Sequence, residues 1–315
     1  MWYSNKAPII ERKYSKSIIH HFKVGSHLGL TINPYQGCQH RCGYCYATYK
    51  WSPNFYDKIY GKINAAEILE SELNKWKNTS MLPVMISSAT DAYQSAEAKF
   101  GITKKCIQVL QQYHIPFYIF TKSSLIERDL DLFSKYSDDC FIVWSITTVD
   151  EKLRRILEPG TPPASRIFET INKFVESGIK CCVNIDPIIP FITDGEQQIR
   201  NIVNKCQQSS LGNISGSVLR LRYDIWSRIR EILELIDLSW AIKEYEQIYG
   251  FQEPILHENN LPADERYTDK VMSNLKSEIL NSNIEFGFEK LIAQISRMKQ
   301  ECPVSLQQCR ISEFL

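Results

Sequence analysis

Strand-length apolar runs recur along the chain, and between them the apolar positions change to a helical spacing. The runs are LGLTINP, just ahead of the first cysteine, then PVMISS (83–88), PFYIFT (116–121), CFIVWSIT (140–147), KCCVNIDP (180–187) and SVLRLR (217–222). Continuously apolar strands fit burial on both faces of a sheet. The intervening stretches place apolar residues three and four apart, as with Ile68, Leu69, Leu73 and Trp76 in NAAEILESELNKWK (64–77). ITKKCIQVLQQY (102–113), RIFETINKFVESG (166–178) and GEQQIRNIVNKC (195–206) have the same rhythm, and Gly178 stands where a left-handed cap ends a helix. Six strands, each followed by a helix, predict an α/β fold around a parallel sheet, either doubly wound or a barrel. After residue 225 the strand pattern stops. There IWSRIREILELIDLSWAIKEYEQIY and DKVMSNLKSEILN predict a helical region.

In parallel α/β folds, sites form where strands end at their C-terminal side. The polar residues that close the apolar runs lie there: Asn33 and the cysteines after it, Ser88–Asp91, Thr121–Ser123, Ser145, Asp186 and Arg222. Cys140, Cys181 and Cys182 begin their strands at the opposite rim and read as small core hydrophobes.

Composition narrows the picture only a little. The chain has 315 residues, 43% of them apolar, which is enough for a substantial core. It has no 18-residue apolar run, so no membrane span is expected, and its first residues have no apolar signal-peptide core. A cytoplasmic location is the expectation, with the ten cysteines mostly reduced. With 37 basic and 36 acidic residues the net charge is +1, so overall charge does not argue for a nucleic-acid partner.

The most unusual local chemistry is NPYQGCQHRCGYCYATY, with cysteines at 38, 42 and 45. The loop is too rich in Gly, Gln, His and Arg for a plain core role. A structural zinc ion on Cys38, His40, Cys42 and Cys45 is one reading. A [4Fe–4S] cluster on Cys38, Cys42 and Cys45, with one iron left for an outside ligand, is the other.

The C-x3-C-x2-C spacing resembles the signature of radical S-adenosylmethionine enzymes. The blocks TINPYQGCQHRCGYCYA, SSATDAYQSAE (87–97), FTKSSLIERDLDL (120–132), SITTVDEKLRRILEPGTPP (145–163) and VNIDPIIPFITD (183–194) are similar to those of a DNA repair photolyase-like subfamily related to spore photoproduct lyase. The similarity spans roughly residues 17–225. It implies a partial (β/α)6 TIM barrel over 29–225, preceded by a lead-in (1–28) and followed by a helical C-terminal region (226–315) packed on the core. It also implies that S-adenosylmethionine binds the open iron and is cleaved to a 5'-deoxyadenosyl radical. The radical would then abstract hydrogen from a substrate, a nucleic-acid lesion being one candidate. The electron would come from an external donor of the flavodoxin or ferredoxin type.

The resemblance also assigns residues. Tyr44, before the last cysteine, holds the position of an aromatic residue near the adenine. Ser87, Ser88, Ala89, Thr90 and Asp91 replace a Gly-Gly-Glu-like turn that binds the methionyl amino group. Here that work passes to the Ser88, Thr90 and Asp91 side chains. Lys122 resembles the lysine that meets the methionyl carboxylate, and Ser145 a serine near the cofactor. Glu158 and Arg166 match a recurrent block, either as an ion pair or as ribose contacts. Asp186 is a site residue or a turn cap. Ser88 stands where spore photoproduct lyase carries its hydrogen-donating cysteine, and no cysteine occurs between Cys45 and Cys106. Repair of spore photoproduct by that route is therefore not expected.

Two further features lie outside these blocks. Arg220 and Arg222 would share one strand face and, with Arg228, Arg230, Tyr223 and Trp226, form either an anchor for an anionic substrate or a solvated helix start. Cys302 and Cys309 read as free thiols near the end of the chain.

Overall fold

The computed structural model describes residues 7–24, 27–49, 54–75, 82–252, 260–280 and 282–296. In chain order the strands are β1 (Ile9–Lys13), β2 (Ile19–Val24), β3 (His27–Ile32), β4 (Tyr35–Gln36), β5 (Lys58–Lys62), β6 (Val84–Ile86), β7 (Phe117–Thr121), β8 (Cys140–Ser145), β9 (Lys180–Ile188), β10 (Asn213–Val218) and β11 (Glu285–Phe286). The helices are α1 (Ala65–Lys75), α2 (Ala96–Phe100), α3 (Ile102–Gln112), α4 (Leu130–Ser134), α5 (Glu151–Leu157), α6 (Ala164–Glu176), α7 (Glu196–Gln208), α8 (Tyr223–Leu235), α9 (Ala241–Tyr249), α10 (Glu265–Ile279) and α11 (Glu289–Ser296). Among the described residues no helix is long and apolar enough to cross a membrane.

One eight-stranded sheet runs β11-β10-β9-β8-β7-β6-β3-β2, with β3 through β11 parallel and β2 antiparallel to β3. Five of the six expected runs form β3, β6, β7, β8 and β9 at its centre, and among the described residues the sheet does not close on itself. A second sheet, β1-β5-β4, stands beside the start of the cysteine loop. Gly178, with φ +76°, follows α6 as the pattern requires.

Three expectations are corrected here. The sixth strand is NISGSV rather than SVLRLR. Gly216 lets Leu275 of α10 approach, since a Cβ there would lie 2.9 Å from Leu275 Cδ2. Leu221 leaves the sheet to pair with Leu261, so Arg220 and Arg222 do not share a strand face. Strands also do not stop at residue 225, because β11 adds to β10. Only two residues long and exposed, it leaves no periodic signal in the sequence. Trp76, Cys302 and Cys309 lie outside the described residues.

The two faces of the sheet are covered differently. Phe117 and Ile119 of β7 join the main core, where Phe117 meets Phe133 of α4 and Trp144 meets Phe174 of α6. Tyr118 and Phe120 point to the opposite face, with Phe141, Val143 and Cys182. That inner face is covered by Phe288, Leu291 and Ile295 at and within α11. Because strand side chains alternate, the same face continues upward as Lys122, Ser145, Asn184 and Asp186. The half-barrel thus has an apolar floor and a polar upper rim, and the shared direction of its parallel strands brings their C-terminal loops to that rim. Cys140, Cys181 and Cys182 are buried core thiols as expected.

Leu291→Ala should lower the urea unfolding free energy by about 2–5 kcal/mol, the scale for truncating a buried leucine. An unchanged transition would show that α11 is not part of the cooperative core.

Candidate functional site

The cysteine loop leaves β3 at Asn33 and is fastened on several sides. Gly37 has φ +79°, and a Cβ there would lie 2.4 Å from the Lys58 carbonyl oxygen, so only glycine lets the loop pass. Cys38 N donates to Phe55 O at 3.0 Å, Gly43 N to Leu157 O at 2.9 Å, and the Tyr56 hydroxyl to Cys42 O at 2.6 Å. Gln39 and Gln94 lock the loop to the turn after β6: Gln39 N donates to Gln94 Oε1, and Gln94 Nε2 to Gly37 O. From the other side, Gly160 N donates to His40 O at 3.0 Å. A Cβ on Gly160 would lie 2.0 Å from Gln39 O, so the EPGTPP segment docks here through a glycine.

Cys38, Cys42 and Cys45 are together on this loop, Cys38 and Cys42 buried. Burial pushes the Cys38 thiol up to about 12, with Asp91 and then Cys45 adding to it. Burial raises Cys42 and Cys45 as well, and Glu158, Cys45 and Cys38 add to the effect on Cys42. Thiolates at such positions require a bound cation, and an iron–sulfur cluster uses thiolate ligands of this kind. The residues present therefore fit the cluster that the spacing implies.

The zinc alternative is corrected. His40 Nδ1 lies 3.0 Å from Gly160 O and Nε2 2.9 Å from Asp91 Oδ2, so the ring bridges two loops instead of joining the cysteines. Among the described residues no three Cys, His, Asp or Glu side chains converge as a site for one metal ion.

Beside the loop lies a buried charge network centred on Glu158. Its carboxylate accepts from the Tyr44 hydroxyl, and from Lys122 Nζ at 3.1 Å; Arg154 Nη1 lies 2.9 Å away. Lys122 Nζ also reaches Ser145 O at 3.4 Å and stands 5.3 Å from the centre of the Tyr44 ring. Thr147 Oγ1 donates to the Tyr44 oxygen at 3.0 Å. Burial alone would raise the Glu158 pKa, but Arg154 and Lys122 hold it down to about 2. Four positions thus meet at the rim: the cysteine loop, the ends of β7 and β8, and α5. Arg166 is not a partner; it binds Glu127 and Glu169, which corrects the Glu158–Arg166 ion pair. Arg154 was not singled out in the sequence, although its position four residues before Glu158 was the available signal.

Asp91, expected at the methionyl amino group, is engaged by the fold itself. Its Oδ1 accepts from Tyr93 N at 2.8 Å and Thr121 Oγ1 at 2.9 Å. Its Oδ2 accepts from Lys122 N at 2.6 Å and faces His40. With three donors on its carboxylate and the His40 ring beside it, Asp91 anchors loops. In the same turn the buried Ser87 Oγ and Thr90 Oγ1 have no hydrogen-bond partner among the described residues, a state that proteins rarely leave unanswered by ligand or water. Ser88 Oγ accepts from Asn33 Nδ2 at 3.1 Å, and Ser88 O accepts from the Tyr46 hydroxyl. Ser145 sits at the end of β8, and Asp186 accepts from Ser217 Oγ at 2.5 Å.

The proposed anionic anchor does not survive either. Arg222 and Arg228 are 5% and 9% exposed and turned onto the cysteine loop. Trp226 is buried against Tyr245 and Phe251. Arg230 pairs with Glu234 on the surface, and Tyr223 is exposed.

The sequence profile of the Radical SAM superfamily matches residues 32–203, more than half of the chain. An uncharacterized protein of Mycobacterium tuberculosis is 28% identical over 203 residues, which are 61% of this chain and 59% of that protein. The chain thus spans about three-fifths of that relative's length. An uncharacterized protein of Methanocaldococcus jannaschii is 31% identical over 169 residues, 52% of this chain and 62% of its own. In structure, spore photoproduct lyase complexed with dinucleoside spore photoproduct superposes with TM-score 0.68 and 13% identity, covering 88% of this chain and 82% of that one. A mutant of that lyase with bound AdoMet gives 0.67 over 88% and 80%, also at 13% identity. At such identity the likeness establishes the fold, a radical SAM partial barrel.

Glu158 yields a pH-dependent prediction. Its ordinary pKa of 4.5 is depressed to about 2 in the folded state, so the ionised form stabilises the fold. That contribution is complete above about pH 4.5 and is lost as the pH falls toward 2. Glu158→Gln should cost about 3 kcal/mol at pH 7, the scale of breaking a buried ion pair. Thermal melts across pH should show this cost shrinking below pH 4.5, whereas a constant cost would point to lost packing.

Proposed function

We propose, from the premise that the chain belongs to the radical SAM superfamily, that it removes a hydrogen atom from a substrate held over the polar upper rim of the half-barrel. The superfamily's cofactors are a [4Fe–4S] cluster and S-adenosylmethionine. When bound, they supply one-electron reductive cleavage of the sulfonium and with it a 5'-deoxyadenosyl radical. The observation that carries the reading is a three-cysteine loop fixed at the C-terminal rim beside a buried Lys122–Glu158–Tyr44 network.

In this reading Cys38, Cys42 and Cys45 hold the cluster. Lys122 binds the methionyl carboxylate, a charge-assisted contact at a largely buried ammonium. Glu158 holds Lys122 in place and favours its charge; burial, the largest effect, and Arg154 work against that charge, and Glu158 together with Cys42 keeps its pKa raised. Thr90 and Ser87 offer the hydroxyls that the described residues leave without partners. Ser88 and Ser145 line the same rim, and Tyr44 packs at the adenine side. The apolar floor under α11 excludes water from below, which protects a reactive carbon radical.

The electron comes from an external donor of the flavodoxin or ferredoxin type, in a cytoplasmic setting. A nucleic-acid lesion is the substrate class favoured by the likeness to spore photoproduct lyase, and the chain supports it only at the level of fold. The hydrogen-return step differs, because a serine O–H bond at Ser88 is far stronger than a thiol S–H bond. The division into lead-in (1–28), core (29–225) and C-terminal region (226–315) is part of the same proposal.

Replacing Cys38, Cys42 or Cys45 by Ala should abolish S-adenosylmethionine cleavage after anaerobic reconstitution. Retained cleavage in all three variants rejects the ligand set. Lys122→Met should keep the iron content and weaken S-adenosylmethionine binding by about 1.5–3 kcal/mol; calorimetry showing unchanged affinity removes Lys122 from the site. With a synthetic dinucleotide spore photoproduct, the reduced enzyme should not return thymidylyl-thymidine stoichiometrically. Clean, complete repair would disprove the altered hydrogen-return step.

A further inference from the structure

The helix α8 lies beyond residue 203, outside the superfamily match, yet it reaches back to the cluster loop. Arg228 Nε donates to Gly43 O at 2.7 Å, and Nη2 donates to Cys45 O at 2.8 Å and to Thr48 Oγ1 at 3.2 Å. Arg222 Nη2 donates to Tyr46 O at 2.8 Å. Asp224 joins the two arginines: its carboxylate accepts from Arg222 Nε at 2.7 Å and from Thr48 Oγ1 at 2.6 Å, with Arg228 Nη1 more distant at 3.4 Å. The carbonyls of residues 43, 45 and 46 are therefore all capped by guanidinium donors from one helix end.

We infer that Arg228 is a positioning residue that fixes the cluster loop from α8 and raises the reduction potential of the cluster that this loop holds. The inference rests on the radical SAM reading and extends it to residues the superfamily match does not contain. Two physical arguments carry it. A planar guanidinium serves two carbonyls and a hydroxyl at once in a fixed fork, which a flexible ammonium cannot copy. A cation buried beside thiolate ligands favours the more negative, one-electron-reduced state, because cluster potentials follow local charge and solvent exposure.

Arg228→Met, Arg228→Lys and Arg230→Gln separate the parts, the last removing a charge from an exposed position on the same helix. Amide hydrogen exchange over residues 43–48 is measured first on cluster-free protein. It should rise severalfold in both Arg228 variants and not in Arg230→Gln. Redox titration of the reconstituted cluster, followed by its electron paramagnetic resonance signal, comes second. Arg228→Met should lose about tenfold in the reduction equilibrium, a shift of about 59 mV toward more negative potential for one electron. Arg228→Lys should stay near wild type in potential, since it retains the charge. Wild-type exchange and potential in a fully loaded Arg228→Met overturn the inference. If that variant does not fold, unchanged exchange in Arg228→Lys overturns the clasp and raised exchange supports it. A wild type that takes up no reducible cluster overturns the radical SAM reading, and the potential claim with it, while the exchange result still decides the clasp.

Discussion

The upper rim of the half-barrel depends on one buried carboxylate. Glu158 receives Lys122 from the end of β7, Tyr44 from the cysteine loop and Arg154 from its own helix. An isolated carboxylate would not remain charged at this depth. Two cations and a phenol hold it ionised, and each is in turn held by it. Loops that are far apart in the chain are thus fixed relative to each other by a single compensated charge. The aromatic ring at Tyr44 and the ammonium at Lys122 are thereby held next to each other.

A second network backs the first on the far side of the loop. Asp91 accepts from Tyr93, Thr121 and Lys122 and lies against His40, and His40 reaches on to Gly160. Gly160 itself permits the close approach that brings Glu158 to the cysteine loop. The two networks share Lys122, whose backbone belongs to one and whose ammonium belongs to the other. Polar groups buried this way favour one arrangement of the loops because any other leaves them unpaired. Below them, the inner face changes from polar to apolar along the strand direction, from Lys122, Ser145 and Asn184 down to Phe141, Val143 and Cys182 under α11. The same sheet therefore offers chemistry at one end and a dry floor at the other.

What could be read from the chain alone was whatever depends on neighbours in sequence. Five of the six central strands, the helices between them and the left-handed glycine after α6 followed from periodicity, because burial on a sheet or a helix face acts within a few residues. The C-x3-C-x2-C spacing was equally visible, since three ligands on one short loop leave their spacing in the sequence. The tertiary structure decided the rest. SVLRLR is the more apolar run, but NISGSV forms the strand because Gly216 accepts α10 and Leu221 is drawn to Leu261. Asp91 reads in the sequence as a side chain free for a ligand, whereas the fold engages it with Tyr93, Thr121 and Lys122. Arg222 and Arg228 looked like an anion anchor until α8 folded them onto the carbonyls of the cysteine loop, more than 170 residues away. A polar side chain's partner is set by which loops dock together, and that docking depends on the packing of the whole half-barrel, which no local pattern of residues encodes.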